Sequence, residues 1–271
     1  GLRDDRVMGD PSEWGSAPLT GDLPDGAIHV WLARLDQFAA DPAAFDAVLS
    51  LDEQERAERF VFDRDRRRFA AARILLRRLL AAYVRTAPAD LRFSCDGYGK
   101  PSLTGHDAAP AFNVSHSGDA AVFAFSRAGE VGVDDEAVRA MTDAAQIASR
   151  FFAPGEVERL RALPLALQHE AFFECWTRKE AFVKAIGEGL SHPLDSFEVT
   201  LTPGDPARLV HVDGHQPDPR DWTLTALPRI PGHVGALAIR GRPQTIGYHV
   251  WRDPHLPHAH AFTSRCESDS L

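Results

Sequence analysis

Residues 176–190 read WTRKEAFVKAIGEGL, and the reading of this stretch decides the rest of the chain. Of 30 Lys plus Arg residues, only Lys100, Lys179 and Lys184 are lysine, and two of the three fall here, on either side of Glu180. The spacing predicts a long helix over 169–187, HEAFFECWTRKEAFVKAIG, closed by Gly187, because glycine readily takes the left-handed conformation that ends helices. Glu180 and Lys184 are four residues apart and share a helix face. On an open surface such a pair contributes roughly 0.3–0.5 kcal/mol and carries no function. Here Phe172, Phe173, Trp176, Phe182, Val183 and Ile186 surround it, so the helix reads as mostly enclosed, and an enclosed glutamate calls for a partner or a metal. Lys179 lies about 100° round the helix from Glu180, facing the other half of the molecule or solvent.

Working outward, GVDDE (132–136) reads as the end of a strand over 130–138. Alternation puts Asp134 and Glu136 on one side and Asp135 on the other. Two carboxylates on one side of a strand end repel, and a hard cation such as Mg2+ relieves the repulsion, using one or two carboxylates together with substrate phosphates. Glu180, from the separate helix, makes a third carboxylate. In FNVSHSGD (112–119) a strand ends at a small polar turn, where backbone N–H groups and His116 can hold a phosphate. Lys100 stands in the YGKP turn, and an arginine-rich run extends from Arg56 to Arg78; guanidinium forks match phosphate oxygens, although interleaved Asp and Glu also suit a solvated helix face.

Net charge is −9, which argues against nucleic acid as the main partner. Three widely spaced cysteines, Cys95, Cys175 and Cys266, form no CxxC or Cys/His zinc pattern, so a reducing compartment and no structural metal are expected. No apolar run approaches the roughly 18 residues of a membrane span, and GLRDDRVMGD has no apolar signal region; Met8 is read as the native start. Strands are expected at 27–35, 91–95, 111–115, 120–126, 130–138 and, in short pieces, near SFEVTL, RLVHV, WTLTAL and VGALAI. Helices are expected at 42–50, at 51–60 behind a Ser50–Glu53 capping box, and at 64–85, 143–152, 154–163 and 169–187. Strand, short helix ending in Arg-Phe (AERF, ASRF), long helix and strands occur twice. The fold class is therefore α+β, two similar α/β halves: a lead-in over 1–26, halves at 27–128 and 129–250, and a flexible His- and Pro-rich tail at 251–271.

The order YGKP, FNVSHSG, GVDxE and WxxKEAxxKxxGxGL resembles the Sfp-type 4′-phosphopantetheinyl transferases, the subgroup with Trp and Lys-Glu-Ala, over about residues 27–240. The resemblance implies a pseudo-dimer with coenzyme A in the cleft between the halves. It implies Mg2+-dependent transfer of the phosphopantetheine arm to a serine of acyl or peptidyl carrier proteins, releasing 3′,5′-ADP. By position it makes Asp134, Glu136 and Glu180 the Mg2+ carboxylates, with Glu180 also taking the serine proton. Lys184 becomes the contact to the transferring phosphate, Ser115 and His116 contacts to coenzyme A phosphates, Lys100 a nucleotide contact and Arg56 the site of the 3′-phosphate. A neighbouring family lysine falls at Glu53, its role passing to Arg67, Arg68 or Arg73, and the usually apolar middle position of GVDxE is Asp135, a third or alternative ligand or a residue pointing away. The protein is expected to be a cytoplasmic monomer serving polyketide or nonribosomal peptide synthesis. The carrier would dock on the arginine-rich region or on 140–170.

Competing readings are a non-catalytic coenzyme A or nucleotide-binding module, which the intact carboxylate and lysine set disfavours, and a nucleic-acid binder, which the charge disfavours. HLPHAH (255–260) is read as part of the flexible terminus rather than a transition-metal site.

Overall fold

The structure, a computed structural model, describes residues 13–16, 19–38, 45, 47–215 and 217–252. Residues 42–44 and 46 of the helix expected at 42–50, the tail from 253 on, Met8 and Cys266 lie outside the described residues; 45, 47 and 48 are helical.

In chain order the first half runs β1 (Ala27–Arg34), α1 (Leu51–Glu58), α2 (Asp63–Val84), β2 (Phe93–Cys95), β3 (Pro101–Leu103), β4 (Ala111–Ser117) and β5 (Ala120–Ser126). The second runs β6 (Val131–Ala137), α3 (Ala144–Phe151), α4 (Pro154–Ala162), α5 (Leu165–Ile186), β7 (Phe197–Val199), β8 (Leu209–Val212), β9 (Trp222–Ala226) and β10 (His233–Arg240), followed by β11 (Thr245–Val250). The halves repeat one plan. β1 lies antiparallel to β5 and β5 to β4, just as β6 lies antiparallel to β10 and β10 to β9. Each half places its 22-residue helix before a short hairpin, β2–β3 or β7–β8. This is the α+β, two-half class read from the sequence.

One boundary needs correction. β11 falls inside the expected second half, 129–250, yet pairs in parallel with β1 and completes the first sheet, in the order β11-β1-β5-β4. TIGYHV does alternate, with Ile246, Tyr248 and Val250 set against Thr245, Gly247 and His249, so the strand carried a period-two signal that the sequence reading passed over. The lead-in is not wholly irregular either: Gly15 bridges to β11, its N–H donating to Tyr248 O at 2.9 Å. The long second helix starts at Leu165, before the expected 169, and ends as expected on Gly187, at φ 79°.

α2 covers the outer face of the first sheet with Leu75, Leu76 and Leu79 against Trp31, Phe123 and Phe125. α5 covers the outer face of the second with Phe172, Ala181 and Ala185 against Ala236 and Ala238. The inner faces meet through Ile28, Val30, Val122, Val131, Val133, Leu237 and Ile239. Burial of these apolar faces supplies most of the drive for docking one half on the other. At the seam, β6 brings a sheet edge across β4.

Candidate active site

Gly132 fixes how close α5 comes to β6. A Cβ there would lie 2.1 Å from Ala181 O and 2.4 Å from Ala185 N, so only glycine admits the helix backbone. Alternation then turns Asp134 and Glu136 toward α5 and sends Val133 and Asp135 to the inner face. The close approach brings Lys184 against Asp134, with Nζ donating to Oδ1 at 2.6 Å. The same ammonium reaches Ser115 Oγ at 3.3 Å and Val133 O at 3.4 Å, so three acceptors meet its three donors.

Glu180, one turn earlier and partly buried, makes no hydrogen bond or ion pair among the described residues. Burial, then the charge of Asp134, pushes its carboxyl above the usual carboxylate range, with Lys184 opposing and Glu136 adding to the rise. Glu136 is raised by burial as well, with Asp134 contributing, while a hydrogen bond from Ser117 at 2.8 Å pulls the other way. The three carboxylates therefore share one electrostatic field, though they come from a strand and a distant helix. Asp134 Oδ2 is buried without a hydrogen-bond partner among the described residues. An orphaned carboxylate oxygen beside two mutually repelling carboxyls suits a hard divalent cation. Among the described residues no three such side chains are already drawn into a ligand cage; Lys184 holds the other oxygen of Asp134.

The remaining sequence-derived positions divide. Ser115 is buried, accepting from Asp135 N at 3.2 Å and donating to Asp134 Oδ1 at 3.0 Å, so its hydroxyl supports a carboxylate. His116 points to the opposite side of β4; crowding, then the charges of Lys184 and Arg56, lower its imidazole pKa. Lys100 bridges the halves, donating to Ala185 O at 2.9 Å near the end of α5, and burial lowers its pKa. Arg56 lies over the Phe69 ring and lines a shallow cavity with Arg59 and Phe60; neither arginine has an ion pair among the described residues. Arg68 and Arg73, expected to serve coenzyme A, are engaged elsewhere. Arg68 holds Asp36 through two hydrogen bonds, at 2.7 and 2.5 Å, Arg73 holds Glu53, and Arg67 pairs with Asp63.

One reading is corrected. Lys179 faces neither the other half nor solvent: fully buried, it pairs with Glu156 at 2.8 Å and donates to Leu194 O and Phe197 O. Asp135 points away from Asp134 and Glu136, as the strand alternation implies. It lies on the inner face, where His233 Nδ1 sits 2.8 Å from Oδ2. Sequence reasoning missed Gly132, Ser117 and Asn113; the last two stand at alternate positions of FNVSHSG, a period-two signal visible in the motif.

Residues 31–128 match the family described as 4′-phosphopantetheinyl transferase, N-terminal, and residues 130–238 the 4′-phosphopantetheinyl transferase superfamily. Among similar proteins, 4′-phosphopantetheinyl transferase Sfp of Bacillus subtilis is 34% identical over 64% of this chain and 75% of its own length. The putative 4′-phosphopantetheinyl transferase slr0495 of Synechocystis sp. is 37% identical over 62% of this chain and 68% of its own. 4′-Phosphopantetheinyl transferase HetI of Nostoc sp. is 37% identical over 84% of this chain and 94% of its own. With two adjoining matches that meet at the seam between the repeated halves, and a relative aligned along almost its whole length, the chain belongs to the 4′-phosphopantetheinyl transferase superfamily.

Proposed function

We propose that the protein transfers the 4′-phosphopantetheine arm of coenzyme A to a serine hydroxyl of an acyl or peptidyl carrier protein, leaving 3′,5′-ADP. The observation that carries this reading is the meeting of Asp134, Glu136 and Glu180 in one field with the Lys184 ammonium, in a member of this family. Asp134, Glu136 and Glu180 would hold Mg2+, which supplies charge neutralisation at the diphosphate.

The other work falls to the chain's own groups. Glu180, without a hydrogen-bonding partner and with its carboxyl raised by burial, accepts the serine proton. The serine oxygen bonds to the phosphorus that carries pantetheine, and the bond from that phosphorus to the ADP oxygen breaks. Lys184 turns from Asp134 to the phosphates, placing positive charge where negative charge develops. Arg56, free of an acidic partner, meets the 3′-phosphate, and His116, within reach of the fields of Arg56 and Lys184, borders the same cleft. With Arg68 and Arg73 committed to Asp36 and Glu53, Arg59 beside Arg56 takes the second cationic place. No described helix is long and apolar enough to cross a membrane, and a cytoplasmic setting follows from the substrates proposed.

The test is incubation of apo carrier proteins with the protein, coenzyme A and Mg2+, read by intact mass. A gain equal to one phosphopantetheine, dependent on Mg2+, is expected. No gain on any acyl or peptidyl carrier, with tight coenzyme A binding retained, would replace this reading with that of a non-catalytic binding module.

A further inference from the structure

β6 is the outer strand of its sheet, because β10 pairs along its other side. A strand edge carries backbone N–H groups that need acceptors when buried. Here the acceptors are side chains of β4. Val133 N donates to Asn113 Oδ1 at 2.9 Å, Asp135 N to Ser115 Oγ at 3.2 Å and Ala137 N to Ser117 Oγ at 3.0 Å. Both strands have a two-residue period, so alternate side chains of one match alternate amides of the other. The three rungs differ chemically. An amide oxygen only accepts, whereas a hydroxyl that accepts still has a proton to give. Each serine gives that proton to a carboxylate on the outer face of β6: Ser115 to Asp134 Oδ1 at 3.0 Å, Ser117 to Glu136 Oε2 at 2.8 Å. Asn113, on the rung with no carboxylate beside it, does neither.

We infer that Ser117 is a positioning residue that orients Glu136 for a divalent cation while it ties β4 to β6. The inference rests on the proposed reading of Asp134, Glu136 and Glu180 as cation ligands. Ser117 is singled out because it is the only hydrogen-bond donor to Glu136 among the described residues, whereas in this structure Asp134 Oδ1 has a second donor in Lys184. One hydroxyl thus sets both the seam between the halves and the rotamer of a carboxylate from the second half. A carboxylate left without its supporting hydrogen bond samples other rotamers, and loss of such outer partners typically weakens metal binding by about 10–100-fold.

The test is Mn2+ binding to the full chain with coenzyme A present, followed by the electron paramagnetic resonance of free Mn2+, with thermal stability measured in parallel. Ser117→Ala should weaken Mn2+ by about tenfold or more, and Ser117→Thr, which restores the hydroxyl, should return it to within about threefold of the native chain. Asn113→Ala, which breaks the first rung alone, should lower thermal stability and leave Mn2+ affinity unchanged. Should Ser117→Ala not fold, Ser117→Cys keeps the volume with a weaker donor and is read the same way. Mn2+ affinity within about twofold of native in Ser117→Ala, or in Ser117→Cys where that variant replaces it, would overturn the inference, as would equal weakening by Asn113→Ala, which would reduce the ladder to a structural seam. No Mn2+ binding by the native chain is a different failure: it removes the cation site itself, and this inference with it.

Discussion

The two halves hold their long helices with the same device and then part at the next residue. In the first, Arg77 is the fifteenth residue counted from Asp63, and in the second Lys179 is the fifteenth from Leu165. Each buried cation meets a buried glutamate at the third position of an earlier short helix. Arg77 Nε lies 2.7 Å from Glu53 and Lys179 Nζ 2.8 Å from Glu156. Each glutamate also caps its own helix, accepting from Ser50 N at 3.0 Å or Ala153 N at 2.9 Å. Each cation then binds two carbonyls of the segment after its helix, Pro88 and Leu91 or Leu194 and Phe197. At the sixteenth position the likeness ends: Arg78 lies over the Phe38 ring, whereas Glu180 enters the carboxylate cluster. The repeated unit is thus a scaffold that fixes a helix by burying a charge pair, and the proposed chemistry falls to one copy. It also bears on why two lysines crowd 176–190: Lys179 holds the helix and Lys184 meets Asp134 at the proposed site.

The largest effect should come where the copies diverge. Glu180→Gln removes the proposed ligand charge and the proposed proton acceptor together, and kcat/KM for carrier modification should fall on the order of 10⁴-fold, with thermal stability retained. Arg78→Gln, the same position in the other half, should change kcat/KM by no more than about twofold. Comparable losses in both variants, measured by the mass assay, would show that the asymmetry is not where the geometry puts it.

The shared device is tested next. Lys179→Met strands a buried glutamate and should cost about 3–5 kcal/mol in urea unfolding; Arg77→Met leaves Glu53 paired with Arg73 and should cost less. Glu156→Gln combined with Lys179→Met should cost less than the sum of the single changes, because no charge is then left alone. If one cation proves worth less than about 1 kcal/mol while the other is worth several, the correspondence is one of shape and not of energetics.

What the sequence disclosed follows from what each signal depends on. Local signals survived folding: the Gly187 stop, the Ser50–Glu53 cap, and the alternation that separates Asp134 and Glu136 from Asp135. Glu180 and Lys184 were legible because a four-residue spacing fixes a shared helix face. Partners far apart in the chain were not legible. Nothing in RRRFAAARILLRR shows that Arg68 turns to Asp36 and Arg73 to Glu53, since long side chains choose among several carboxylates only once the fold places them. Lys179 gave no sign of burial because its partner lies 23 residues upstream on another helix. β11 does alternate, Ile246, Tyr248 and Val250 against Thr245, Gly247 and His249, but nothing local shows that it pairs in parallel with β1 at the start of the chain.

A more moderate loss should follow Lys184→Arg. The compact ammonium touches Asp134, Ser115 and Val133 O at once, and a planar guanidinium cannot meet three acceptors so arranged. Transfer should fall on the order of 50-fold, about 2.3 kcal/mol, with most of the loss in kcat. Native activity in this variant would reduce Lys184 to a helix-face ion pair and leave the second half little more specialised than the first.

The smallest effect concerns a feature the first half has alone, its fourth strand. In the β1–β11 seam His29 pairs with Gly247 and Trp31 with His249. Trp31 Nε1 can only donate, and it donates to the Tyr83 hydroxyl at 2.8 Å, which leaves the hydroxyl proton for His29 Nδ1 at 2.9 Å. That bond needs a neutral imidazole. Burial, with the nearby His249, lowers the His29 pKa from 6.5 to about 4. The unfolded chain therefore binds the proton first. Stability is fully present above about pH 6.5 and is lost as pH falls toward 4, below which the folded form is protonated as well. Between pH 7 and pH 5 this one group should cost about 1.8 kcal/mol, seen as a lower urea midpoint. His29→Gln, which cannot titrate, should flatten that slope. An unchanged slope would move the acid sensitivity to His249 or to the second half, and would mean that the strand added at this edge carries no protonation penalty of its own.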